Sequence, residues 1–172
     1  MSHDGLYLNS DAASTLEIIE VPEIPTAVVS FSNLPRSEMS AAFDVTFKAL
    51  IPTLVQRGNY PQGPGFALYH QMPTDTFTFE IGIGVQTPLT EQVATEYEVT
   101  VEPSVIPAGP VSRISHIGSF EELPKAWENF IAAIAAAGRT VAFPFWEVYV
   151  TRPTPDMDPA TLRTDLYIAL QP

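Results

Sequence analysis

Gly65-Phe66-Ala67-Leu68-Tyr69 returns 80 residues later as Phe145-Trp146-Glu147-Val148-Tyr149. Offsets of 80 to 82 residues also link Gly58 to Gly138 and Ile24-Pro25 to Ile106-Pro107. Ahead of each aromatic run lies a helical pattern, and behind it a second alternating apolar run, so each half reads strand, helix, strand, strand. Two copies of a unit too small to cover its own apolar face become stable when packed as a pair. The expected fold is therefore α+β: two pseudo-symmetric β-α-β-β repeats forming one antiparallel sheet, with two helices on one face and a central cleft between the copies. The halves differ at that cleft, because a carboxylate stands in the second run where the first has Ala67.

Outward from these runs, Met39, Phe43, Phe47, Leu50, Ile51 and Leu54 recur at steps of three and four, an apolar stripe on a helix of about 20 residues. Gly58 fits its left-handed cap, and Pro52 predicts a kink within it. Leu123, Trp127, Phe130, Ile131 and Ile134 form the matching stripe of the second copy, closed by Gly138 and opened by Ser119-Phe120-Glu121-Glu122, a capping-box pattern. These stripes, with their aromatics, are read as core. The strands Phe66 to Gln71 and Thr76 to Gln86 form a hairpin, as do Phe145 to Thr151 and Thr164 to Leu170. Gly82 and Gly84 share one strand face and leave room for something to lie against the sheet. Prolines at 22 and 25 interrupt the first strand of repeat one. Residues 1–15 are expected to be a flexible tail, and 16–172 one domain, with repeat one over about 16–87 and repeat two over about 97–172.

Twenty acidic against 8 basic residues give a net charge of −12, and the basic side chains are scattered singly. Phosphate binding needs clustered Lys and Arg, so direct nucleic-acid binding is not expected. Without cysteine the chain has no disulfide framework, thiolate metal site or Cys nucleophile. No run of about 18 apolar residues occurs, and no signal pattern opens the chain, which together point to a cytoplasmic protein without membrane association. His70 and His116 are too few for a metal site, and the Gly-x-Gly runs lack the spacing of a phosphate loop, so neither metal nor cofactor is expected.

Strand alternation puts Phe145, Glu147 and Tyr149 on one face of the last hairpin and Trp146 and Val148 on the other. A glutamate flanked by aromatics is suited to be a partly desolvated carboxylate that pairs with a cation or acts as a general base. Tyr69 occupies the equivalent face of the other half and looks into the same groove.

Taken together, the order of elements, the Ile-Pro near each repeat start, Gly63 to Tyr69 and Trp146 to Tyr149 resemble the GyrI-like small-molecule-binding superfamily. It includes the effector-binding domains of multidrug-responsive transcription activators and gyrase-inhibitory proteins, and the resemblance spans roughly residues 16–172. It implies a ligand in the central cleft, where a glutamate meeting cationic aromatic compounds maps onto Glu147. Aromatic walls map onto Tyr69 and Tyr149, and onto Phe66 and Trp146, with Phe145 beside them. Some members of the superfamily resemble hydrolases of strained electrophiles, which would make Glu147 the base and Tyr69 its assistant. The chain has no room for the regulators' helix-turn-helix domain. Three readings stand: a stand-alone sensor or carrier of hydrophobic cations, a hydrolase using the same cleft, and a gyrase-modulating or other protein-binding factor. Unpaired edges of such a sheet would accommodate a homodimer.

Overall fold

A computed structural model describes residues 7–151 and 154–172. It bears out the α+β expectation: nine antiparallel strands in one sheet and two α-helices. In chain order they are β1 (Glu17–Val21), β2 (Ile24–Pro35), α1 (Met39–Gln56), β3 (Pro61–Tyr69), β4 (Thr76–Val85), β5 (Val93–Ala94), β6 (Thr100–Ile106), β7 (Gly109–Ile117), α2 (Leu123–Ala136), β8 (Val141–Tyr149) and β9 (Arg163–Leu170). The strand order is β1-β7-β9-β8-β3-β4-β2-β6-β5.

That order corrects the reading of the proline-broken segment as one interrupted strand. After Val21 the chain leaves β7, a strand of the second repeat, and enters β2, which pairs with β4 of its own repeat. The second repeat returns the exchange, since β6 pairs with β2 while β7 pairs with β9. Pro22, with no N–H to give a ladder, stands where the change of partner happens. Ile24 pairs directly with its own repeat equivalent, Ile106. A residue opposite its own equivalent lies on the pseudo-two-fold axis.

Both helices cover the same face of the sheet. On that face Ala42 of α1 and Phe130 and Ile134 of α2 join Ala67, Tyr69, Phe79, Ile81, Phe145 and Leu166 in one cluster. Farther along α1, Leu50 and Leu54 pack with Ala27, Val29, Ile83 and Val85. The small residues Ala42, Thr46 and Ala49 of α1 are buried along with Leu50 and Leu54, while Phe43 and Phe47 are only partly buried. Gly58 (φ 65°) and Gly138 (φ 79°) follow the two helices in the left-handed conformation. The capping box does not form: Ser119 gives no side-chain cap, and its carbonyl accepts from the Glu122 backbone N–H and meets Nε2 of His116 at 3.1 Å.

The opposite face holds a second cluster, in which Ile24 and Ile106 meet Phe66, Leu68, Trp146, Val148 and Tyr167. For the axis pair to reach residues of β3 and β8 the sheet must curl upon itself. Gly82 belongs to this curl, because a Cβ there would lie 2.4 Å from the Ala27 carbonyl oxygen. The room made by Gly82 and Gly84 is taken by the neighbouring strands, not by a foreign group.

A loose tail is not what residues 7–15 form, while residues 1–6 lie outside the described residues. Leu8 is fully buried in the second cluster, Tyr7 packs edge-on against Tyr167, the Ser115 backbone N–H donates to the Ala13 carbonyl, and the Ala13 N–H donates to the Ser115 hydroxyl oxygen. Arg113 and Arg163, both ion-paired to the fully buried Asp165, donate to the carbonyls of Asp11 and Ser10. Two guanidinium groups, held by the buried Asp165 carboxylate and, for Arg113, also by Glu17, thus fasten this strap by its backbone, which its polar composition did not reveal. Leu8→Ala should lower the unfolding free energy by about 2–5 kcal/mol in denaturant titration. An unchanged midpoint would mean that the strap carries no stability.

Candidate functional site

Lying between β3 and β9 in the middle of the sheet, β8 has two buried faces. Its alternation sends Phe145, Glu147 and Tyr149 toward the helices and Trp146 and Val148 into the opposite cluster. Opposite Glu147 on β3 is Ala67, its own repeat equivalent. The carboxylate therefore stands where the axis crosses the sheet, between the two helices. Ala67 itself is fully buried in the helix-face cluster, so its methyl group presents no second carboxylate to Glu147.

Both carboxylate oxygens are engaged. The Trp127 indole N–H of α2 donates to Oε2 at 2.7 Å, and the Tyr149 hydroxyl donates to Oε1 at 2.8 Å. Burial pushes the Glu147 carboxyl above the ordinary range, and the two donors and the more distant His116 pull it back in part. The side chain is half-buried, so it is stripped of most of its water yet open to the cleft. Tyr149 is held well above its normal value, by burial first and then by Glu147, and so stays a donor. Tyr69 is raised as well, by burial and then by Glu147, while Arg36 pulls it down.

Rings line the cleft in two manners. Phe145, Tyr69 and Phe79 are cross-strand neighbours on β8, β3 and β4, stacked with centroids 4.9 and 5.1 Å apart and planes within 8°. Those separations match the spacing of strands, so the ring normals run across the sheet and the rings stand on edge toward the helices. Their π faces are spent on one another, and all three rings are buried in the helix-face cluster. Tyr149 is approached edge-to-face by Phe43 of α1, at 5.5 Å, and by Phe120, at 6.0 Å. Trp127 packs edge-to-face on Phe145 at 5.0 Å. Gly65 helps α1 approach, since a Cβ there would lie 2.6 Å from the Phe47 ring.

Of the residues singled out from the sequence, the structure brings Glu147, Tyr149, Tyr69 and Phe145 together. It does not bring Phe66 and Trp146: both are fully buried on the opposite face, where Trp146 stacks on Tyr167 at 5.5 Å. Even-numbered β8 residues cannot reach the helix face without a register shift of one. Trp127, read as core from its helical spacing, is the residue sequence reasoning missed. The one signal was chemical, since a half-buried indole needs an acceptor for its N–H.

Because burial favours the protonated form, Glu147 contributes stability below the ordinary glutamate value of about 4.3, and that contribution is lost as pH rises through the elevated folded value. Glu147→Gln should therefore unfold at a higher temperature than wild type at pH 7, with the gap closing as pH falls toward 4. A gap independent of pH in thermal melts would contradict the burial argument.

Comparison with known proteins agrees with this architecture. No curated protein matches the sequence. The fold resembles EcmrR, from its DNA complex, at 17% identity and a TM-score of 0.70, covering 91% of this chain and 57% of that one. A hydrolase encoded by lin2189 from Listeria innocua superposes with a TM-score of 0.65 at 15% identity, over 94% of each chain. SAV2435 bound to tetraphenylphosphonium gives a TM-score of 0.56 at 10% identity, over 91% of this chain and 94% of that one. Identities this low establish a shared fold. Among the described residues no helix is long and apolar enough to cross a membrane. A family model of the GyrI-like small molecule binding domain matches residues 14–171, and the chain belongs to that family.

Proposed function

We propose that this protein binds hydrophobic aromatic cations in the cleft between α1 and α2, acting as a sensor or carrier of such compounds. The observation that carries this reading is one desolvated carboxylate, Glu147, beside aromatic rings, which makes no ion pair among the described residues and feels His116 only at longer range. A buried carboxylate unmatched by a cation is costly, and a ligand that supplies the positive charge recovers that cost. Trp127 and Tyr149 fix the carboxylate in place, and Phe43 and Phe120 set the aromatic mouth beside Tyr149. Tyr69 and Phe145 contribute a rigid floor of ring edges rather than cation–π faces. Tetraphenylphosphonium is a suitable probe, being the ligand of a protein with this fold.

One observation favours hydrolysis as a second reading: a carboxylate whose proton affinity is raised by burial lies close enough to Tyr69 for their charges to interact. Glu147 would accept a proton from water as the water oxygen bonds to an electrophilic carbon, the bond from that carbon to the departing group would break as that group takes the Tyr69 hydroxyl proton, and the proton on Glu147 would then pass to the Tyr69 oxygen to restore both groups. A hydrolase with this fold adds weight to it.

Glu147→Gln should weaken tetraphenylphosphonium by about tenfold or more, followed by calorimetry or Trp127 fluorescence. Equal affinity of the two proteins would remove the carrier reading. Mass spectrometry of wild type incubated with strained neutral electrophiles should show the compounds intact, and a Glu147-dependent hydrate would replace the carrier reading with the hydrolase one.

A further inference from the structure

The two mouths of the cleft are not alike, and the repeat makes the difference visible. Each α-helix is entered through one turn of 3-10 helix, Arg36–Glu38 before α1 and Phe120–Glu122 before α2. The first residue of the second turn, Phe120, sets its ring against Tyr149. The first residue of the other turn, Arg36, holds its guanidinium 5.2 Å from the ring centroid of Phe77, and Phe77 packs on Tyr69, the repeat equivalent of Tyr149. Where one mouth has a phenyl ring, the other has a fixed positive charge.

Arg36 makes no ion pair or hydrogen bond with any side chain among the described residues, although the protein carries 20 acidic side chains. Its stem and head rest on an aromatic surface at the cleft edge, which orients an Arg while leaving its five N–H donors free. Glu147 and Arg36 bear on the same Tyr69 hydroxyl in opposite directions. The cleft thus has a negative pole on the axis, an apolar mouth at Phe120 and a positive pole at Arg36.

Resting on the reading of Glu147 as the cation-binding group, we infer that the preferred ligands are amphoteric: aromatic cations that also carry a carboxylate or comparable anionic group, held by Arg36. A purely cationic compound would satisfy Glu147 but leave its own positive surface facing Arg36. An amphoteric one would match both poles, and Arg36 would be the residue that selects it.

Rhodamine B and its ethyl ester form a matched probe pair, identical in the cationic ring system and differing only in whether the carboxylate is free. In fluorescence titrations Arg36→Gln should weaken the free acid by about fivefold and change the ester by less than about twofold, while Glu147→Gln weakens both. Arg36→Lys should restore part of the loss. Arg36 is exposed, so an unchanged thermal midpoint verifies that the variant is folded. If both dyes depend on Glu147 but Arg36→Gln shifts them alike or not at all, the inference fails and the cation reading stands. If wild type binds neither dye, or Glu147→Gln changes neither, the cation reading fails and takes the inference with it.

Discussion

Ala67 and Glu147 face each other across the β3–β8 ladder at the pseudo-two-fold axis, and the asymmetry of the protein follows from that contact. Directly opposed positions in an antiparallel pair hold their Cβ atoms about 4.5–5.5 Å apart. A repeat that kept the carboxylate in both copies would set two half-dry negative charges against each other, and one would have to take up a proton. An alanine in one copy removes the conflict and leaves one charge. That single charge lies where the axis crosses the sheet, so the difference between Ala67 and Glu147 sets the sign of the site.

The rest of the cleft keeps that charge in place. An indole N–H and a phenol O–H occupy both oxygens, replacing water with oriented donors that do not neutralise the carboxylate. The neighbouring rings stack across strands, which makes the floor stiff and denies a ligand their faces. On the proposed reading, affinity for a cation would come from charge in a region of low dielectric more than from cation–π contacts. Among the described residues the carboxylate makes no ion pair, so the donors hold a costly charge in place, the exchange expected where function and folding compete for one residue.

Much of this was legible in the sequence, for physical reasons that differ by level. Alternation in Phe145 to Tyr149 assigns faces because strand side chains have a period of two, and the helix stripes with their glycine ends mark α1 and α2 almost to the residue. Periodicity says nothing about which strand lies beside which. The crossing of β1 to the second repeat and of β6 to the first is a tertiary choice that only the prolines at 22 and 25 hinted at. Phe66 and Trp146 were drawn into the site by a resemblance of motifs, against the alternation that sends them to the other face. The strap over residues 7–15 looked loose because its anchors are backbone carbonyls, and the arginines that hold them are about 100 and 150 residues away. Trp127 was legible as a helix-stripe residue and illegible as a donor, since the direction of an indole N–H depends on packing.

The central claim is that the charge of Glu147, not the shape of the cleft alone, holds the ligand. Calorimetric titration with tetraphenylphosphonium at a series of pH values tests this on the unaltered protein. A cation that favours the carboxylate must release a proton as it binds wherever Glu147 is partly protonated, so affinity should fall as pH drops through the elevated value, with proton release in that window. Affinity that stays constant from pH 8 to pH 4 without proton release would show that the carboxylate is a bystander.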